Sequence, residues 1–387
     1  MKSNQGTNSS EMRSSNELLI LNLLRRQSCS RAQIAKLTGL SRAGVTILVD
    51  SLIRRGFVRE TVEGGKGIGR KAMGLSICAD AGYIIGIHLR RKDCKIGVFD
   101  FLGELLYYQE LTYDENLVPA AQLISTGKAV LSMLEEHGVD GQKVLGVGVC
   151  TSGPVDVAAG KVIRPSSKWH EIEIVRVLGS VLPWPCHLTN RSTARTMYEK
   201  FNGLCRDYSD FIFLKVDEAV GGGVVSGGRL LNGYNQFGNE FGHMTIKFDG
   251  EQCECGNIGC LTLYASIPAL LKQFHHLGMH SWKEVMDAAY SGDVGALEAV
   301  RREAEYLSLS ITSLCNLLEP QAVVLAGDVI YRPNLLVALI RENVNTRRIL
   351  RSNHDVVILA AGEVEHINLK AAASIVLEAF CAGELEI

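Results

Sequence analysis

Three cysteines fall within eight residues, Cys253, Cys255 and Cys260 in the stretch CECGNIGC, and His243 stands ten residues ahead of the first. Three thiolates and one imidazole make a closed tetrahedral donor set of the kind that holds zinc. A closed set leaves no position for an activated water, so such an ion is a structural clamp and not a catalyst. Gly256 and Gly259 allow the tight backbone curl that a clamp of this size needs. The same residues also admit a redox pair, or thiols that are close in sequence only.

The elements that must position this cluster belong to a chain of 387 residues, 47% apolar and 21% charged, long enough for two or three compact units. No apolar run reaches the roughly 18 residues of a spanning helix, and the polar start MKSNQGTNSSEMRSS lacks the apolar core of a secretory signal. Eleven cysteines without a framework spacing then point to the reducing cytoplasm, with no membrane partner expected. The net charge of −2 hides an asymmetry. Residues 1–80 carry 13 Lys/Arg against 6 Asp/Glu, a net +7, and the rest carries 27 against 36, a net −9. A basic module on an acidic body calls for a polyanion partner at the module, or else for a merely solvated basic face.

Inside that module, residues 1–15 are expected as a disordered tail and 16–78 as a winged helix-turn-helix. NELLILNLLRRQ has helical spacing, and CSRAQIAKLTGL gives Ser30 as an N-cap and Gly39 as a stop. SRAGVTILVDSLIRRGF starts at the N-cap Ser41, with Val45, Leu48, Val49 and Leu52 as an inward stripe and Gly56 as the close. A tight turn at Gly39 between two short helices is the helix-turn-helix arrangement. Arg42, Ala43, Gly44, Thr46 and Ile47 face outward near the start of the third helix, as suits a helix approaching base edges in a major groove. A glycine-rich loop carrying Lys66, Arg70 and Lys71 reads as a wing on phosphates or the minor groove. Arg31, Ser41, Arg42 and Thr46 with the three wing cations are the expected DNA contacts. The alternative is a helical docking or dimerisation module.

After residue 80 the texture alternates. AGYIIGIHL, CKIGVFDF and GELLYYQEL read as consecutive strands, VPAAQLISTGKAVLSMLEEHG as an amphipathic helix, and KVLGVGVCTSG as a buried strand. FIFLKVDEAVGGGVVSGGRLLNG, QAVVLAGDV and DVVILAAGEV add further strands, so the fold class is α/β with ligands near strand ends. The head together with GVGVCTSGPVD, GGGVVSGGRLLNGYNQFGNEFGH and CECGNIGC resembles the ROK family of repressors, open reading frames and sugar kinases, over essentially residues 15–380. Its most specific piece is Glu240-x-x-His243 followed by C-x-C-G-x-x-G-C, and the winged head resembles the repressor branch. The resemblance implies a two-lobed actin-like ATPase fold across 82–387. Lobe one would take about 82–190 plus a C-terminal helix at about 368–387, and lobe two about 191–367, with a sugar cleft between them. It also implies a structural zinc on His243, Cys253, Cys255 and Cys260, with Glu240, His243 and Asn190 at the sugar. Read alone, Glu240 is a surface carboxylate and Asn190 a turn cap.

Departures from the family's kinases bear on activity. Phosphoryl transfer needs a base on the accepting hydroxyl and a cradle for ATP. The base is an aspartate after an asparagine in those kinases; in HLTNRSTAR, Asn190 is followed by Arg191, which cannot accept a proton near neutral pH. GIHLRRKDCKIGV puts His88, Leu89, Arg90 and Arg91 where an Asp-x-Gly-Gly-Thr-like turn is expected. VGGGVVSGG persists, yet glycines also serve close packing. Thr262 replaces a second pocket glutamate, and VIRPSSKW lacks the asparagine often found before its tryptophan. Arg191 could instead pair with an anionic group on the ligand. The expectation is therefore a non-enzymatic, sugar-responsive repressor of carbohydrate uptake or catabolism genes. It would bind an operator as a homodimer on two half-sites and take a sugar, a sugar derivative or a protein partner as effector. A residual sugar kinase and a zinc or thiol sensor are the competing readings.

Overall fold

The structure, a computed structural model, describes residues 9–62, 73–90, 92–114, 116–163, 169, 171–231, 239–349, 355–362 and 364–385. The wing cations Lys66, Arg70 and Lys71, and Arg91, lie outside the described residues. The head consists of α1 (Ser9–Arg26), α2 (Arg31–Thr38), α3 (Arg42–Arg54) and an antiparallel pair, β1 (Val58–Val62) with β2 (Met73–Ile77). Ser30 opens α2 with a complete capping box to Gln33, Gly39 closes it at φ +74°, and Ser41 opens α3 by accepting from the Gly44 amide. Val45, Val49 and Leu52 are fully buried against Ile20, Leu21 and Ile34.

Residues 9–15 of the expected tail at 1–15 are helical, since α1 starts at Ser9, and residues 1–8 lie outside the described residues. The added turns gain partners on α3, because Arg13 donates to Ser51 Oγ at 3.1 Å and Glu17 takes the Arg55 guanidinium at 2.7 Å. Such cross-helix bonds supply what an isolated polar helix end lacks.

The body repeats one sheet plan twice. β3 (Tyr83–Leu89), β4 (Asp93–Asp100) and β5 (Leu105–Thr112) form an antiparallel meander, then come α4 (Pro119–Glu136) and β6 (Val144–Thr151), which joins β3 in parallel. After the short β7 (Val155–Asp156) and β8 (Lys161–Val162) and α5 (Ile174–Gly179), β9 (Cys186–Asn190) completes the order β5-β4-β3-β6-β9. α6 (Arg191–Phe201) leads into the second copy. Here β10 (Phe211–Val216), β11 (Val220–Ser226) and β12 (Arg229–Leu230) are the meander. The short α7 (Thr262–Ala265) and α8 (Ile267–Gln273), then α9 (Trp282–Tyr290) and α10 (Val294–Leu318), lead to β13 (Ala322–Ala326). α11 (Asn334–Arg347) and β14 (Val357–Ala360) complete the order β12-β11-β10-β13-β14, and α12 (Ile367–Cys381) ends the chain.

Two compact units emerge, one of 1–152, 160–188 and 372–387, the other of 153–159 and 189–371. The head belongs to the first unit together with the first sheet, not to a unit of its own. Phe101, fully buried, is the reason: its ring meets Phe57 of the head at 5.6 Å and Phe380 of α12 at 5.3 Å, both edge-on. Cys381 Sγ also donates to Asn22 Oδ1 at 2.8 Å. The second unit has its own core of Ile212, Leu214, Leu307, Ile311, Val323 and Leu325 among others, all fully buried. No helix among the described residues is long and apolar enough to cross a membrane.

Candidate functional site

The donor atoms of His243, Cys253, Cys255 and Cys260 all lie within 4.8 Å of one another. Cys255 and Cys260 Sγ are 3.7 Å apart, and Cys253 Sγ lies 3.6 Å from His243 Nδ1. Tetrahedral bonds of about 2.3 Å to sulfur and about 2.0 Å to nitrogen demand edges of about 3.8 and about 3.5 Å, close to these two contacts, so the cluster could hold a metal ion such as zinc. Burial and the neighbouring thiol Cys255 push the Cys260 thiol up to about 12, so without a cation beside it this thiol keeps its proton. Backbone geometry holds the curl. Asn257 donates to the His243 carbonyl at 3.0 Å, and the Cys253 amide donates to the Asn257 carbonyl at 2.8 Å. Gly259 sits at φ +69°, where a Cβ would lie 1.7 Å from the Lys247 carbonyl oxygen.

Just ahead of this clamp, Asn239 takes φ +71° and ties its amide to the Leu231 carbonyl at 2.7 Å. That left-handed step presents Glu240 and the turn Phe241–His243. Glu240 keeps part of its surface in solvent, and partial burial holds its carboxyl above the usual range against the pull of His243.

The glycines of β11 relate this turn to the other expected ligand residues. A Cβ on Gly221 would meet Ser192 Oγ at 2.5 Å, and one on Gly223 would meet Thr196 Oγ1 at 2.2 Å, both on α6. On the opposite face, a Cβ on Gly222 would come within 2.4 Å of the Phe241 ring. Gly242 in turn packs on the Val220 carbonyl, and Thr262 Oγ1 accepts from the Val220 amide at 3.3 Å. One bare strand thus separates the start of α6, with Asn190 and Arg191, from the turn with Glu240 and His243. Asn190 Oδ1 caps α6 by accepting from the Thr193 amide at 2.8 Å, which leaves its amide nitrogen and one acceptor position on the oxygen for a ligand.

Sequence reasoning missed the charges at the carboxyl ends of β10 and β13. Lys215 is buried and ion-paired with Asp217; burial, then Arg191 and Arg195, push its amine down to about 7. A lysine interrupting the apolar run FIFLKV was the available signal. Asp217 Oδ1 accepts from the Asp328 amide at 2.8 Å, and Gly327 at φ +91° leaves room for that carboxylate. Beside these groups opens a pocket of about 770 Å³ lined in part by Glu218, Trp282, Lys283, Asp328, Tyr331 and Arg332. Asp217, Glu218 and Asp328 thus share this strand end with the cations Lys215, Lys283 and Arg332. In the first sheet, Arg90 closes the β3–β4 turn by pairing with Asp93 and, at 3.0 Å, with Glu110.

On the head, Arg42 and Ser41 are exposed at the start of α3, and Thr46 Oγ1 donates to the Arg42 carbonyl at 2.9 Å. Arg31, also among the expected DNA contacts, is tied within the head. Its Nη2 donates to Asp50 Oδ1 at 2.9 Å and Glu60 Oε1 at 3.0 Å, so it braces α2 to α3 and β1.

Residues 84–379 match the ROK family, and residues 13–67 match the MarR family. The chain belongs to the ROK family. This ROK protein is 28% identical to the xylose repressor of Bacillus spizizenii over 94% of its own length and 95% of the relative's. A ROK family transcriptional regulator described as a homologue of the E. coli MLC protein superposes with a TM-score of 0.79 at 22% identity, covering 96% of this chain and 97% of that one. A ROK hexokinase from Thermus thermophilus gives 0.67 at 26% identity, covering 76% and 97%. The extra coverage of the regulators is the head, and the fold is a winged helix-turn-helix followed by the ROK actin-like architecture.

Proposed function

We propose that this ROK protein is a sugar-responsive DNA-binding repressor of carbohydrate uptake or catabolism genes, acting in the cytoplasm. The observation that carries the reading is the union of a basic winged head with a sugar-kinase-like body in which Arg191 holds the position of the catalytic base. Ser41, Arg42 and Thr46, with Lys66, Arg70 and Lys71, contact an operator duplex, and two chains engage two half-sites. Asn190, Arg191, Glu240 and His243 bind a sugar or sugar derivative. The guanidinium of Arg191 is suited to a carboxylate or phosphate on it.

His243, Cys253, Cys255 and Cys260 would hold zinc, which supplies rigidity and no reaction step. Its second role is positional: with Nδ1 turned to the metal, His243 keeps its ring fixed for a ligand hydroxyl. The body is not catalytic. Arg191 cannot take the hydroxyl proton, and His88, Leu89 and Arg90 stand where a phosphate-cradling glycine turn is expected.

Regulation requires that the sugar bind the DNA-competent and DNA-incompetent arrangements unequally, since equal binding shifts nothing. A fluorescence titration of duplex from upstream of its own gene, repeated with pentoses, hexoses, amino sugars and their phosphates, tests this. One sugar class is expected to change DNA affinity at least about ten-fold, the amount about 1.4 kcal/mol of differential binding gives. Tight DNA binding that none of them alters, together with no thermal shift by any, contradicts the reading.

A further inference from the structure

The outward face of α3 carries an apolar pair that the head does not use for its own packing. Ile47 is 61% exposed, and Ala43, one turn earlier on the same ridge, is exposed as well. The buried stripe of the helix, Val45, Leu48, Val49 and Leu52, lies on the other side. A β-branched apolar residue is a poor choice for a wet helix surface, where charged, straight-chain residues favour both helix and solvent.

Its surroundings fit a nucleic acid better than a protein. Arg42 stands at the same helix end, and the first 80 residues carry a net +7. The one carboxylate further along this face, Asp50, is turned to Arg31, which it shares with Glu60. Thr46 has its hydroxyl hydrogen committed to the Arg42 carbonyl, so it offers an acceptor and a methyl. Gly44 is not required by packing: a Cβ there would meet only Ser41 Oγ, at 3.1 Å. A glycine in the first turn lets the helix end approach a backbone closely.

In a major groove the apolar feature on a base edge is the thymine C5-methyl. We propose that Ile47, with Ala43, reads thymine methyl groups, and that each operator half-site therefore carries thymine at the step facing this ridge. The inference rests on the DNA-binding reading and adds base identity to it.

The test starts from duplexes selected out of a random library by the full-length protein. Each thymine of the best site is then replaced singly by deoxyuridine, which lacks only the methyl. At one or two positions per half-site the replacement is expected to weaken binding about three- to five-fold, the value of one buried methyl. Ile47→Ala is expected to bring that thymine/deoxyuridine ratio to about one at the same position, and Ile47→Gln to shift selection there toward adenine. Deoxyuridine neutral everywhere overturns the proposal, as does an Ile47→Ala protein that keeps the ratio. So does an Ile47→Ala protein that changes self-association alone, which would make the ridge a contact between copies. A library in which no sequence is enriched overturns the DNA-binding reading and this one together.

Discussion

Gly222 and Phe241 touch across the middle of β11, so closely that a Cβ on the glycine would lie 2.4 Å from the ring and 2.4 Å from the Phe213 carbonyl oxygen. This contact sets how near the Glu240–His243 turn can come to the strand that also carries α6. The glycine run is a packing spacer between the start of α6 and the Glu240–His243 turn.

Gly222→Ala should therefore disturb the site from within. Overpacking at this point is expected to cost about 1–3 kcal/mol and to weaken effector binding. The control is Gly227→Ala, on a turn with open space but φ +56°, which should cost about 1 kcal/mol and leave effector affinity intact. Paired denaturant titrations and effector binding curves check both.

The clamp makes a prediction about metal. Purified protein should carry about one zinc per chain by elemental analysis, and Cys260→Ser should lose it, since structural sites are closed four-donor sets. The melting temperature should fall by about 5–10 °C, as a loss of a few kcal/mol gives for a unit of this size. Retained DNA binding with lost sugar response would place the damage at His243.

Glu303 predicts an inverted pH dependence. It is fully buried in α10, neither carboxylate oxygen has a hydrogen-bond partner among the described residues, and burial raises it well above 4.5. A carboxyl whose folded value is raised stabilises the fold fully below its unfolded value. That contribution is lost as pH rises toward the folded value. Glu303→Met should therefore be more stable than the parent at pH 8, by about 1–3 kcal/mol, with the gap closing toward pH 4.5. Denaturant midpoints at three pH values measure it.

Phe101→Ala should uncouple the head. Removing the ring between Phe57 and Phe380 is expected to cost the first unit about 3–5 kcal/mol. Limited proteolysis should then release the head early, while sugar affinity, which the proposed ligand residues Asn190, Arg191, Glu240 and His243 place on the second unit, stays unchanged.

Sequence alone revealed what local chemistry dictates. The caps Ser30 and Ser41, the stop at Gly39 and the stripe from Val45 to Leu52 place the helices of the head, because each acts within a few residues. The clamp was visible because three of its donors lie in one short loop. Long-range partners were not. The ion pairs of Arg31 were hidden because Asp50 and Glu60 reach it only through the fold, across 19 and 29 residues. The VGGGVV run read as ambiguous because Thr196 and Phe241, its neighbours, come from other elements. Polar residues 9–15 resembled a tail because the partners of Arg13 and Glu17 sit on α3.

The central claim, a sugar site without turnover, is tested most directly by incubating the purified zinc-loaded protein with γ-labelled ATP, magnesium and the sugars that shift its melting temperature. The account predicts binding without label transfer. Label appearing on any of those sugars at a kinase-like rate, about 1 s⁻¹ or more, contradicts it.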